Sequence, residues 1–282
     1  MKALTNDKHS LHVLSRHAGT NLPGGVKLSA WDPVRGEPPA DSLSDADAII
    51  HLAGEPVAQR WTTDTKQKIR DSRVNGTRHL VQALSKLSQR PQTLVCASAI
   101  GYYGDRGDET LTESSAPGSG YLAEVCEAWE KEARAAESLG VRVVRVRIGI
   151  VLDARGGALA KMLPPFKMGL GGKLGSGRQW MSWIHIQDVV SLIQLALAQP
   201  LTGAVNAVAP NPATNADFTK ALGAALKKPT LFPVPKFALG IMFGEMSEVL
   251  LASQRVLPRA AESAGFRFQF PDLAPALADA LK

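Results

Sequence analysis

A chain of 282 residues, 45% hydrophobic and 21% charged, can bury a large core, which excludes disorder and a disulfide-stapled miniprotein. Lysine plus arginine (32) exceed aspartate plus glutamate (26) by six. The basic residues are scattered among acids rather than gathered in a stripe, which argues against nucleic-acid binding. Two cysteines, Cys96 and Cys126, lack metal-ligand spacing and read as small core residues of a reducing compartment.

The first eight residues hold no apolar run of the secretory kind. The longest nearly apolar stretch, Phe237 to Phe243, is about a third of a bilayer span. A cytoplasmic protein without membrane contact is expected. In chain order, Leu11–Leu14 predicts a short strand and Asp47–Ala53 a stronger one ending at Gly54. Thr63 to Leu87 reads as a long helix, and Thr93–Ser98 as a buried strand running into Gly101 and Gly104. From Tyr121 to Leu139 the apolar positions Leu122, Val125, Cys126, Trp129, Ala133 and Ala136 recur at helical spacing, with Gly140 as the stop. On that helix Glu127–Lys131 and Glu130–Arg134 are expected to pair on the exposed side. A single strand is expected over Val141–Leu152, then a glycine-rich loop over Gly169–Gly177. Asp188 is expected to cap a helix over Val189–Ala198. Ala204–Val208 follows as a strand, and Thr214 or Asn215 starts a helix reaching Leu226. Past Lys228 three prolines lead into an aliphatic, helical tail. Alternation of this kind predicts an α/β fold with a mostly parallel, doubly wound sheet. We divide it into a sheet domain over 1–154 and a mixed region over 155–282, which adds late strands and a smaller, mainly helical cap.

Several segments in this order resemble the extended short-chain dehydrogenase/reductase superfamily: Ile49-Ile50-His51-Leu52-Ala53-Gly54, Val74-Asn75-Gly76-Thr77, and Ala97-Ser98-Ala99-Ile100-Gly101-Tyr102-Tyr103-Gly104. A closer likeness is to its YfcH-like, epimerase-family branch, through Ala53-Gly54-Glu55-Pro56 with Arg60-Trp61 and Arg147-Ile148-Gly149-Ile150-Val151-Leu152 with Gly156-Gly157. Gly175-Ser176-Gly177-Arg178-Gln179 with Trp183-Ile184-His185, and Ser253-Gln254-Arg255-Val256 with Gly265-Phe266, belong to the same likeness. The resemblance runs over nearly the whole chain and implies a Rossmann domain with a substrate cap, an NADP(H) cofactor, and an oxidoreductase or epimerase acting on a small carbonyl or nucleotide-sugar-like substrate. A non-enzymatic dinucleotide-binding regulatory protein is the alternative, as is a truncated form unable to bind cofactor. No metal is expected, and a homodimer stays open.

Two features of the superfamily are missing. No strand followed by the three-glycine fingerprint, which lets the backbone approach a pyrophosphate, occurs in the chain. The resemblance therefore implies roughly twenty further residues ahead of the first helix, or a variant that closes the sheet differently. The second is the lysine four positions after the catalytic tyrosine. Tyr121 stands 23 residues after Ser98, where the superfamily's proton donor belongs, but Val125 occupies the lysine position. No other lysine is expected beside Tyr121, since Lys131 lies on another face.

By resemblance, Ser98 and Tyr121 are the catalytic candidates. Ser98 would polarise a carbonyl or touch the cofactor, against a small residue packed at a strand end. Arg16, after the strand that reads the adenosine ribose, suits a 2′-phosphate, against a solvated surface arginine. Leu52, Ala53, Gly54, Glu55 and Ala99 complete the cofactor edge, with Gly54 bare because a side chain would collide with the cofactor, against a turn glycine after a strand, and with Glu55 ordering cofactor or substrate, against a cap of the next segment. Arg60 and Trp61 would hold an anionic substrate, against a loop anchor. Tyr102 would wall the cleft and His185 would touch substrate, against a structural histidine.

Overall fold

The computed structural model describes residues 1–17 and 22–282. A short helix α1 (Lys2–Asn6) precedes parallel strands β1 (His12–Ser15) and β2 (Lys27–Ala30). Next come β3 (Ala48–His51), the 23-residue α2 (Thr63–Ser85), β4 (Thr93–Ala99), a two-residue β5 (Thr110–Leu111) and α3 (Tyr121–Arg134). The chain continues through β6 (Arg142–Ile148), β7 (Ile150–Leu152), α4 (Gly157–Lys167), β8 (Trp180–Met181), β9 (Trp183–His185), α5 (Ile186–Ala198) and β10 (Gly203–Ala207). It finishes with β11 (Ala213–Thr214), α6 (Asn215–Leu226), α7 (Lys236–Phe243), α8 (Ser247–Leu251), β12 (Arg255–Val256), α9 (Arg259–Ser263) and α10 (Leu273–Ala280).

The predicted α/β architecture is present: a parallel four-stranded sheet in the order β10-β6-β4-β3, flanked by helices, with a helical C-terminal region. Strands β1 and β2 form a separate two-stranded sheet, and no ladder joins β1 to β3 among the described residues. Side chains connect the two pieces. The Trp31 ring lies 5.9 Å from that of His51, and His79 of α2 bonds the Pro33 carbonyl at 2.8 Å. Gly76 permits that approach, because a β-carbon there would sit 2.9 Å from Pro33 Cβ.

The strand expected over 141–152 is broken at Gly149. A β-carbon at that position would stand 2.6 Å from the Ser182 carbonyl oxygen and 2.8 Å from Val208 Cγ1, so only glycine lets the chain leave β10 and pair β7 with β9. Helix α5 also differs. Its N-cap is His185, whose Nδ1 accepts from the Gln187 amide at 3.3 Å, and Asp188 instead accepts the amides of Gln269 and Phe270 at 2.8 and 3.1 Å. Thr214 caps α6 as expected, accepting the Asp217 amide at 3.2 Å.

One apolar core lies between the main sheet and the α2–α3 layer, built around Leu80, Leu84, Leu94, Trp129 and Val143. A second faces α5 through Val144, Val146, Ile184 and Leu192. A third gathers Leu152, Leu159, Trp183, Phe218 and Leu277 in the later part of the chain. The C-terminal segment returns to the loops that follow β4: β12 pairs with β5 in a separate two-stranded sheet, Gln254 donates to the carbonyls of Ile100 and Gly104, both at 3.0 Å, and Glu113 accepts the Ala260 amide at 3.1 Å. Among the described residues no helix is long and apolar enough to cross a membrane.

Candidate active site

Parallel β3, β4 and β6 end on one side of the sheet, where an open α/β fold presents its ligand-binding crevice. Beyond β3 the chain emerges through Leu52, Ala53, Gly54 and Glu55. Leu52 is 56% exposed, an apolar side chain left open at the sheet's carboxyl edge. Arg16 reaches this edge from β1, with Nη1 3.9 Å from Glu55 Oε2 and half its side chain exposed. The Glu55 amide donates to Ser72 Oγ at 2.9 Å, fixing the turn against α2. A side chain on Gly54 would meet the Arg73 guanidinium, with Cζ and Nη2 both 3.1 Å from the β-carbon position.

Ser98 sits at the end of β4 with its side chain turned inward, away from the crevice. It is 3% exposed and its hydroxyl donates to Glu130 Oε1 at 2.7 Å. Glu130 does not pair with Arg134 on the surface as expected. It too is 3% exposed, and it accepts from Arg147 Nε at 2.7 Å, Arg147 Nη2 at 3.0 Å and Arg145 Nη1 at 3.0 Å. The network continues through the interior: Arg147 Nη1 donates to the Tyr103 hydroxyl at 2.9 Å, which donates to Asn206 Oδ1 at 2.7 Å. Burial is the main cause that pushes the Tyr103 phenol up to about 12. Tyr102 forms the outer face of this network, with its ring centroid 3.5 Å from the Arg147 guanidinium carbon. The sequence reading missed Glu130, Arg145 and Arg147. A signal was available: arginines in the central strand of a sheet need an internal counter-charge.

Tyr121, at the start of α3, lines an open cleft of about 530 Å³ with Trp61, Lys66, Gln67, Arg70 and Glu245. Its hydroxyl donates to the Lys66 carbonyl oxygen, and the Trp61 ring stands edge-on at 5.1 Å. The expectation that no lysine lies nearby is corrected. Lys66 Nζ is 5.0 Å from the Tyr121 ring centroid, supplied by α2 rather than α3, and also pairs with Glu245 Oε2 at 2.6 Å. Burial raises the Tyr121 phenol above its ordinary value, while the positive charges of Arg73 and Arg70 pull it down. Positions 66, 70 and 73 form one face of α2 at helical spacing, a stripe that could have been read from the sequence.

Two other candidates stay outside the cleft. Arg60 is exposed and does not line it, whereas Trp61 does. His185 is 1% exposed, stacked 3.9 Å from the Phe270 ring, with Nε2 3.5 Å from Asp279 Oδ2. That position binds the C-terminal helix rather than facing the crevice. Among the described residues no cluster of His, Cys, Asp and Glu has the arrangement of a metal site.

A family model described as the NAD dependent epimerase/dehydratase family matches residues 1–208. The chain belongs to this family. A second model, of a domain of unknown function (DUF1731), matches residues 234–280. Among the family's curated members, the epimerase family protein Mb2239 of Mycobacterium bovis is 45% identical over 278 residues, covering 98% of this chain and 90% of its own length. The human epimerase family protein SDR39U1, isoform 2, solved with NADPH, superposes with a TM-score of 0.86 at 33% identity, covering 99% of this chain and 92% of its own. The UDP-glucose 4-epimerase of Thermus thermophilus, in complex with NAD, superposes with a TM-score of 0.76 at 18% identity, covering 99% of this chain and 93% of its own, a likeness of fold alone.

Proposed function

We propose that this chain is an NADP(H)-dependent oxidoreductase or epimerase of the extended short-chain type, acting on a small carbonyl or nucleotide-sugar-like substrate in the Tyr121 cleft. What supports this is a chain of neighbours: Arg16 meets Glu55 beside Gly54, the Arg73 guanidinium lies against Gly54, and Tyr121 is close enough to Arg73 to feel its charge. The NADPH in the human SDR39U1 structure supports the same reading.

The residues present fit a dinucleotide. The open Leu52 side chain offers apolar surface to a flat ring, the Arg73 guanidinium lies against Gly54 where a side chain would stand, and the half-exposed Arg16 suits a ribose 2′-phosphate better than a hydroxyl. When bound, the nicotinamide supplies or accepts a hydride. Tyr121 gives or takes the accompanying proton at its hydroxyl, exchanging its bond to the Lys66 carbonyl for one to the substrate oxygen. Lys66 and Arg70 place positive charge beside that oxygen, where negative charge develops. Trp61 walls the cleft and limits water on that side.

Titrating NADPH into the protein by fluorescence, followed by turnover across a panel of carbonyl compounds, tests the reading. Replacing Tyr121 by Phe should lower turnover by about 10²–10⁴-fold while leaving NADPH affinity within about twofold. Unchanged turnover removes Tyr121 from the proton-transfer role. A second reading, a dinucleotide-binding protein without catalysis, is favoured by Val125 at the lysine position and by the hydroxyl bond that holds Tyr121 to α2. Binding without turnover selects it, and absence of binding rejects both readings.

A further inference from the structure

Among the described residues, Arg73 is a cation without an ion-pair partner. Its guanidinium lies between the Gly54 edge and the Trp129 ring, 5.3 Å from the ring centroid. Its hydrogen bonds to the described residues all leave from one nitrogen: Nη1 donates to the Glu55 carbonyl at 2.9 Å, to the Ile69 carbonyl at 3.1 Å and, weakly, to Ser72 Oγ at 3.5 Å. No described carboxylate oxygen comes within ion-pair distance of it, although Arg16, Arg78, Arg145 and Arg147 on the surrounding elements each have one. Nη2, 3.1 Å from the Gly54 β-carbon position, donates to no described residue. Burial lowers the arginine's affinity for its proton, so holding the charge there works against stability unless an anion arrives to meet it.

A dinucleotide's diphosphate needs positive charge and hydrogen-bond donors where it crosses the sheet edge. We propose that Arg73 supplies this charge, with its Nη2 donating to the diphosphate of the bound nucleotide as it crosses Gly54. The Trp129 face and the Glu55 and Ile69 carbonyls hold the fork in place, and Gly54 is bare because a side chain there would displace the guanidinium. This rests on the dinucleotide reading above and assigns to Arg73 a binding role separate from that of Arg16. Arg16 reads the 2′-phosphate and discriminates between cofactors; Arg73 meets what all of them share.

Dissociation constants of NADPH, NADH, ADP and UDP for the full chain and its Arg73→Met, Arg73→Lys and Arg16→Ala variants test the assignment, with far-UV circular dichroism confirming the fold. Arg73→Met keeps the aliphatic stem over Trp129 and removes the charge. It should weaken NADPH, NADH and ADP alike, by roughly 10- to 100-fold. Arg73→Lys, which retains charge without the fork, should fall between. Arg16→Ala should weaken NADPH and spare NADH. Wild-type affinities retained within about twofold in a folded Arg73→Met variant overturn the inference and leave the dinucleotide reading standing. Loss confined to UDP also overturns it, assigning the charge to the substrate side. If the wild-type protein binds neither dinucleotide, the functional reading fails and this inference fails with it.

Discussion

Replacing Glu130 by Gln tests whether the interior behind the crevice is an electrostatic unit. Glu130 accepts four hydrogen bonds, from Ser98 and from Arg145 and Arg147, at 2.7–3.0 Å, and both it and Arg147 are 3% exposed. Neutralising the carboxylate preserves its shape but leaves two guanidinium groups in the sheet without a counter-charge. Removing one partner of a buried ion pair costs about 3–5 kcal/mol, and a chain of this size loses roughly 2–4 °C of melting temperature per kcal/mol. The midpoint should therefore fall by about 6–20 °C in differential scanning calorimetry. A double variant, Glu130→Met with Arg147→Met, should recover part of that loss, because it removes one of the two orphaned charges along with its partner and leaves only Arg145 unpaired; a coupling energy of at least about 1 kcal/mol is expected. A Glu130→Gln variant destabilised by less than about 1 kcal/mol, or additive effects in the cycle, would refute the account and return Glu130 to the surface role its sequence spacing implied.

Other consequences are directly measurable. The buried His51 imidazole, pushed down to about 4 by desolvation, is neutral in the folded chain and charges more readily once unfolded. Its contribution is complete above about pH 6.5 and is lost as pH falls toward 4. The corresponding decline is at most about 3 kcal/mol. The urea midpoint should fall over that window and fall less in His51→Gln; equal slopes would contradict the assignment. Gly149→Ala should destabilise by more than about 3 kcal/mol, since its methyl meets the Ser182 carbonyl and Val208 at 2.6 and 2.8 Å and both are held in packed surroundings. Chemical denaturation of that variant checks it, and a loss below about 1 kcal/mol would show that the β6–β7 break can shift.

The sequence made local features legible where period and punctuation decide the structure: the α2 and α3 stripes, the Gly140 stop, the Thr214 cap and the strands of the main sheet. It was least informative where a residue's role depends on a distant partner. Glu130 and Arg134 have the spacing of a surface pair, and only the packing of α3 on β6 turns Glu130 toward Arg147, 17 residues away. Asp188 looked like a cap because it precedes a helical run, yet its carboxylate serves a loop 81 residues later. The lysine missing from position 125 could be read directly. That Lys66 stands over Tyr121 follows from the crossing of two helices, which no local pattern encodes.

The two family models leave residues 209–233 between them, which invites treating the chain as a catalytic body with a detachable appendage. The contacts made by Gln254, Asp188 and Glu113 argue otherwise. Each is a polar group whose partner lies across that supposed seam, and Val256 fills a buried cluster with Leu111 and Val208. Shortening the chain at the family-model boundary would strand those carboxylates and uncover the apolar side chains of Leu111 and Val208. The C-terminal segment is thus a keystone, and the sheet and the tail that stabilises it must be expressed and altered together.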